Sequence, residues 1–458
     1  MKKPIITSTD HLTRVPRALW LLLALGLALR LVYGLAQNHT AVYAQTGGDS
    51  WWYLEYGRLL VTSHEPGPPP SGPLYLLFVG LPQHLLAPGA AVMAVRVVQA
   101  LLSTATAYFG YRLARKISGS QRAGWIAALV LVLSPVFILE SAQIVTETLY
   151  LFLLVAALWV YIRLIPTPRR PGEDAMDLPV MERTTWMLAL AGLLLGLATL
   201  TRAVLLAFPL GLALHLVMVY GWRGGLKRAL VLLVVYAITV STWTVYMRAR
   251  WNLWVVGAQG FSAFLYLGAT DWQGPQQVDN SLAQDAGGQF STEPDEQQQL
   301  YQSAAAQIIL KDLGGWLSRR GSELAGAFLQ PHGVTFFPGE SLRDLAMGWL
   351  NGDRSYDGFV RLVRGDYFIP KLVIYVLHYI SILLGLVGIV RTRGRWRLTL
   401  PLIGLLVYTL LIHFALDAIP RYLFPLSFVW WVFAAAALAR RYSADDLPIE
   451  PPTHTYHV

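Results

Sequence analysis

No cysteine occurs in the 458 residues. Disulfides, thiolate nucleophiles and Cys-ligated metals are therefore excluded. Charge is scarce as well, with only 14% of residues Asp, Glu, Lys or Arg. No Gly-x-Gly-x-x-Gly or Walker sequence is present. Nothing marks a nucleotide cradle, and no nucleotide cofactor is expected. There is no Asp-x-Asp pair for the metal of a sugar nucleotide. No internal repeat of fixed period is visible.

The chain is instead rich in apolar and aromatic residues. Hydrophobic residues make up 55%, with 16 Trp and 22 Tyr. Aromatics with a polar edge gather at membrane–water interfaces. This composition describes an all-α polytopic membrane protein in contact with a lipid bilayer. The net charge of +9 does not point to nucleic acid. The basic residues are spread over short loops between apolar runs, which is a topology signal.

Ten apolar runs are legible, at 18–36, 91–111, 124–139, 143–162, 186–200, 203–221, 229–247, 371–390, 398–416 and 422–439. The blocks 124–162 and 186–221 could each be one long helix or a hairpin, and the flanking charges decide. Arg112, Arg115, Lys116 and Arg122 precede the first block; Arg163, Arg169, Arg170 and Arg183 follow it. Arg223, Lys227 and Arg228 follow the second. Positive loops belong in the cytoplasm, so each block must cross and return. Lys2, Lys3, Arg14 and Arg17, then Arg391, Arg393, Arg395 and Arg397, then Arg440 and Arg441 complete an inner set of 21 among 36 Lys and Arg. About ten helices with both ends inside satisfy these charges. The first run, long and carrying Arg30, reads as a retained anchor rather than a cleaved signal.

The expected organisation is an N-terminal transmembrane module at 1–247, an extracytoplasmic segment at 248–370, further transmembrane helices at 371–441 and a cytoplasmic tail at 442–458. The first outer loop, 37–90, belongs to the first module. Amphipathic juxtamembrane helices are expected near 297–312 and 314–329, and a flexible inner loop at 164–183.

With this topology, reactive residues collect at the outer interface. Asp49 follows Gly47-Gly48 and precedes Ser50-Trp51-Trp52-Tyr53. Glu140 and Glu147 flank the apex of the first hairpin, and Arg202 lies at the apex of the second. His413, Asp417, Arg421 and Tyr422 lie at the last outer turn. Ionisable groups at membrane depth are costly and usually functional. Each also has a plainer role. Asp49 could be a helix N-cap, Glu55 a solvated helix face, Glu140 a loop residue and Glu147 a complement to a helix dipole. Arg202 and Arg421 could snorkel to headgroups. Arg30 and Arg96 are assigned to snorkelling or helix packing. His413 and Asp417, four apart, share a helical face; a His–Asp hydrogen bond is the plainer reading there and a metal pair the sharper one.

A family resemblance rests on several of these segments together. They are Ala28-Leu29-Arg30-Leu31-Val32-Tyr33, Gly48-Asp49-Ser50-Trp51-Trp52-Tyr53, Tyr56-Gly57-Arg58-Leu59-Leu60 and Pro73-Leu74-Tyr75-Leu76-Leu77-Phe78. Thr146-Glu147-Thr148-Leu149-Tyr150, the Gly-rich run 191–202 ending in Thr201-Arg202, Leu265-Tyr266-Leu267-Gly268 and Arg421-Tyr422-Leu423-Phe424-Pro425 continue the series. The set resembles the GT-C glycosyltransferases, in the branch of protein O-mannosyltransferases and lipid A aminoarabinose transferases. Two departures stand out. Asp49 is followed by Ser50, where many relatives carry Asp-Glu, and Thr201-Arg202 is followed by Ala203, where Pro is usual.

The resemblance implies a polyprenyl-phosphate sugar donor and a glycan, lipid or protein acceptor on the outer side of a bacterial plasma membrane. Asp49 would then be the general base of an inverting displacement. Arg202 and Arg421 would bind the donor phosphate. Glu147, Glu140, His413 and Asp417 are candidates for acceptor or metal contacts, with one divalent ion at Asp49 and Glu147 as an option. Trp51, Trp52, Tyr53 and Tyr422 are the expected substrate-lining residues. A rival from another class is a transporter or flippase for a lipid-linked glycan. It predicts repeated halves and charges near the membrane midplane, and the chain shows neither.

Overall fold

A computed structural model of the chain describes residues 16–439 except 45, 47, 66, 70, 167–180, 259, 271–293 and 353. Lys2, Lys3, Arg14, Arg169, Arg170, Arg440, Arg441, Gly47, the 164–183 loop for the most part and the 442–458 tail lie outside the described residues. Among those described, all regular structure is helical.

The N-terminal part holds α1 Arg17–Ala36, α2 Ala41–Ala44, α3 Asp49–Thr62, α4 Pro73–Leu85, α5 Pro88–Ser118, α6 Gln121–Leu133, α7 Pro135–Ser141, α8 Glu147–Leu164, α9 Met181–Thr201 and α10 Phe208–Trp251. Next come α11 Phe261–Ala269, α12 Pro294–Lys311, α13 Leu313–Leu329, α14 Leu342–Asn351 and α15 Tyr356–Val363. The chain closes with α16 Phe368–Arg391, α17 Trp396–Ala415 and α18 Phe424–Leu438.

Eight of the described helices are long and apolar enough to cross a membrane, and nine if α6 and α7, bent by 53° at Ser134, form one span. The stretch 203–251 is 49 residues of nearly continuous helix. At about 1.5 Å per residue that is more than twice a hydrocarbon core of about 30 Å. Gly221, at φ 73° and ψ 170°, breaks the helix inside it. A Cβ on Gly225 would collide with Leu216 and Val217, so the chain folds back at Gly221. Two crossings replace one, and the count becomes ten, as the basic loops require. The protein is a multi-pass membrane protein.

Four basic loops meet at one end of the bundle. Arg395 Nη1 donates to the Ile117 carbonyl (3.2 Å), joining the α16–α17 and α5–α6 turns. Tyr220 donates to the Leu164 carbonyl (2.5 Å), joining the Gly221 turn to the end of α8. Arg112 and Arg163 both lie over the Trp159 ring. Trp20, near the start of α1, stacks on Tyr108 of α5.

The two helices buried most completely, α8 and α18, run through the middle of the core. Arg30, which a lipid-facing position would expose, is buried on α1. It donates to Ser103 Oγ (2.8 Å) and to the carbonyls of Gly26, Leu131 and Val132. Helix packing, not snorkelling, is its role. Arg96 likewise donates to the Ala142 and Asn38 carbonyls.

The amphipathic helices anticipated near 297–312 and 314–329 are α12 and α13. The short helices α14 and α15 were not anticipated. Ser341 and Ser355 cap them by accepting from the Asp344 and Gly358 N–H groups. The signal was present as Ser341-x-x-Asp344, a capping box with Asp in place of Glu.

Candidate active site

Glu147 is the first residue of α8, where a carboxylate complements the helix dipole. Its side chain is 0% exposed. Arg202 follows the last turn of α9 in extended conformation and places Nη1 2.6 Å from Glu147 Oε1. Arg421, in the 3-10 turn before α18, places Nε 2.5 Å from the same oxygen and Nη2 3.1 Å from Oε2. Thr146 Oγ1 donates to Oε2 (3.2 Å). The cost of burying this carboxylate is offset by two guanidiniums and a hydroxyl.

Asp49 completes the group from the rim. It begins α3, but Gly48 holds the cap position and no side-chain cap bond is made. The Asp49 carboxylate instead pairs with Arg421 Nη1. Its side chain remains 63% exposed, so it is the member of the quartet most open to water. Two carboxylates and two guanidiniums make the quartet neutral.

The packing that holds Asp49 here is traceable. A Cβ on Gly80 would collide with the Gly57 carbonyl, so only glycines let α3 and α4 approach this closely. Gln83 of α4 donates to the Leu54 carbonyl (2.9 Å). Tyr53 meets Tyr75 edge to face at 5.1 Å. Tyr75 donates to Gln99 (3.0 Å), which donates to the Ser141 and Gln143 carbonyls just before Glu147. Burial first, then the Glu147 charge, raises the Tyr53 phenol above its ordinary pKa, so it stays neutral as a packing group.

Aromatic rings close the other side. The Arg202 guanidinium lies 5.7 Å from the Tyr150 ring centre and 5.1 Å from that of Tyr422, within cation–π range. Tyr422 stacks on His413 at 5.2 Å. Buried Arg320 of α13 caps this corner by donating to the His413 and Phe414 carbonyls (2.8 Å each) at the end of α17. A cation there meets the negative end of the helix dipole. Sequence reasoning missed Arg320 because the segment Ser318-Arg319-Arg320-Gly321 carries no local signal.

The other candidates lie apart from this quartet. Glu140 is a buried residue of α7, not a loop residue, and faces His332 of the 332–336 turn at 2.7 Å. His413 Nδ1 bonds the Asp417 backbone carbonyl (2.9 Å), not its carboxylate. Burial raises the Asp417 carboxyl above its ordinary pKa, with Arg320 pulling the other way. Glu55 pairs with Arg58 on an exposed face. Trp52 stacks on Tyr56 at 4.1 Å, and Trp51 is half-buried. Among the described residues no three of His, Asp and Glu gather as a metal site would need. Both oxygens of Glu147 are already taken by guanidinium nitrogens, so the pair Asp49 and Glu147 does not fit a divalent ion in this arrangement.

An apolar groove of about 390 Å³ opens between the first half of α10 and α17. Phe208, Gly211, Leu214, Leu400, Gly404 and Tyr408 are among its lining residues. Leu210, Leu214 and Met218 on this side of α10 are exposed. Tyr408 closes the end toward the quartet, donating to the Val204 carbonyl (2.6 Å) and accepting from the Ala207 N–H. Val204 is two residues from Arg202.

The family model for dolichyl-phosphate-mannose-protein mannosyltransferases matches residues 82–269. This segment, less than half of the chain, is similar to that glycosyltransferase family. The matched segment runs from α4 to α11 and contains Glu140, Glu147 and Arg202. Two solved structures of the Archaeoglobus fulgidus oligosaccharyltransferase are similar to the chain. One, AglB in complex with an inhibitory peptide and a dolichol-phosphate, is 15% identical over 91% of this chain and 49% of that one, with a TM-score of 0.48. The other, tethered with an acceptor peptide containing the NVT sequon, is 15% identical over 94% and 49%, with a TM-score of 0.49. The chain spans about half the length of these structures. A comparison with curated protein sequences finds no match.

Proposed function

We propose that this chain transfers a sugar from a polyprenyl-phosphate donor to an acceptor hydroxyl, with inversion, at the membrane face where Asp49 meets Arg421. The observation that carries the reading is the convergence of Arg202 and Arg421 on buried Glu147, with the water-exposed Asp49 beside them. The apolar groove ending near Val204 has the chemistry to take the prenyl tail, which would bring the phosphate to Arg202.

The bonds of the reaction follow from this placement. The acceptor oxygen attacks the anomeric carbon while Asp49 takes its proton. A carbon–oxygen bond to the acceptor forms, and the bond from the anomeric carbon to the phosphate oxygen breaks. The electron pair leaves on the phosphate, where guanidinium N–H donors stabilise the growing charge. Glu147 holds both guanidiniums in position. The basic loops lie at the opposite end of the bundle, so the positive-inside tendency would put the site on the extracytoplasmic side.

Lipid extraction and mass spectrometry of the purified protein tests this reading. A polyprenyl phosphate or its sugar ester should co-purify and bind when added back, and Arg202→Gln should weaken that binding at least about tenfold, the scale of a hydrogen bond to a charged group. Absence of any affinity for polyprenyl phosphates in the wild-type protein would overturn it.

A further inference from the structure

The quartet of Asp49, Glu147, Arg202 and Arg421 raises a problem for an incoming anion. Its two positive charges are already matched by two negative ones. A phosphodiester entering this neutral, partly buried site would add an uncompensated charge, which is costly where water is scarce. One carboxylate must therefore give way.

The geometry distinguishes the two. Glu147 is wholly buried and receives three guanidinium N–H donors and a hydroxyl. Asp49 is 63% exposed and, among the described residues, pairs with Arg421 Nη1 alone. Its pair is of the exposed kind that contributes little to stability, and water waits to solvate the carboxylate when it leaves.

We propose that Asp49 occupies the donor-phosphate position on Arg421 before the donor binds, and that the donor phosphate displaces it. This deepens the proposed transferase reading and rests on it. The exchange is balanced in charge: one carboxylate leaves Arg421 and one singly charged phosphodiester arrives. The released Asp49 then has its lone pairs free for the acceptor hydroxyl. The base is engaged only after the donor is seated, so donor binds before acceptor. After transfer, the leaving phosphate carries one charge more than the donor did, and the quartet is overfilled with negative charge. Once Asp49 loses the proton it took, it competes again for Arg421 and favours release of the prenyl phosphate.

The exchange makes a prediction that a simple ligand role for Asp49 does not. Removing the Asp49 charge should strengthen phosphodiester binding. The probe is farnesyl methyl phosphate, a singly charged prenyl phosphodiester, titrated calorimetrically into the detergent-solubilised full chain. Asp49→Asn and Asp49→Ala should each bind it about twofold to fivefold tighter than wild type, the scale of an ion pair of this exposure. Arg202→Gln should bind it more weakly. Thermal unfolding in detergent establishes that each variant is folded, and the alanine variant serves if the asparagine one is not. Equal or weaker binding by the Asp49 variants, with Arg202→Gln still weakened, would overturn the exchange and leave the donor-site reading standing. Unchanged binding by Arg202→Gln would overturn both.

Discussion

At the residue scale the central contrast is between two carboxylates in one network. Glu147 is sealed and saturated with donors, while Asp49 is exposed and holds one. Only the exposed group is placed to reach an acceptor hydroxyl, which is why we propose Asp49 as the base. Asp49→Asn is nearly isosteric, and the cap position is held by Gly48, so helix α3 should be unaffected. We expect the variant to fold and to lose at least about a hundredfold in sugar transfer, the usual scale for a general base. Transfer from a radiolabelled polyprenyl-phosphate sugar in membranes, with expression checked in parallel, measures it. Near wild-type transfer would remove Asp49 from the chemistry.

At the element scale, α10 and α17 are the helices to watch. Their groove contains Gly211 and Gly404, and a Cβ at either would meet nothing within 4 Å. A larger side chain there fills open space rather than disturbing packing. Gly404→Phe should therefore leave thermal stability within about 1 kcal/mol, as substitutions away from packed features do. Affinity for long-chain polyprenyl phosphates should fall several-fold, while that for a short alkyl phosphate stays near wild type. Equal losses for both chain lengths would mean that the groove does not hold the tail. The glycines of α3 and α4 behave differently. Gly57 and Gly80 face each other with no room for a Cβ, and they fix where Asp49 stands.

At the scale of the whole molecule, the ends of the bundle differ in charge. The loops around Arg112, Arg163, Arg223 and Arg393 share one end, and the quartet lies at the other. Because the chain has no cysteine, single-Cys labelling reads this directly. Cys at exposed Ser303 should react with an impermeant maleimide from outside intact cells. Cys at exposed Gly394 should react only after the membrane is opened. The reverse pattern would invert the orientation and put sugar transfer on the cytoplasmic side.

Composition and periodicity alone determined that this is an all-helical membrane protein, because runs of apolar residues near bilayer length leave few other solutions. The charged loops likewise required the 186–221 block to cross, turn near Arg202 and return before Arg223; α9 ends at Thr201, α10 starts at Phe208, and the helix breaks again at Gly221. Asp49, Glu147, Arg202 and Arg421 could each be picked out from the sequence as ionisable residues near apolar runs. Their pairing could not, since Asp49 and Arg421 are 372 positions apart and no local pattern encodes so distant a contact. The same holds for Glu140 with His332, for Arg320 on the last turn of α17, and for the groove, whose walls come from two helices far apart in the chain. Burial decided the rest. Only the packed structure reveals that Glu147 is closed to water and Asp49 open, and that difference, not residue type, separates the roles we propose for them.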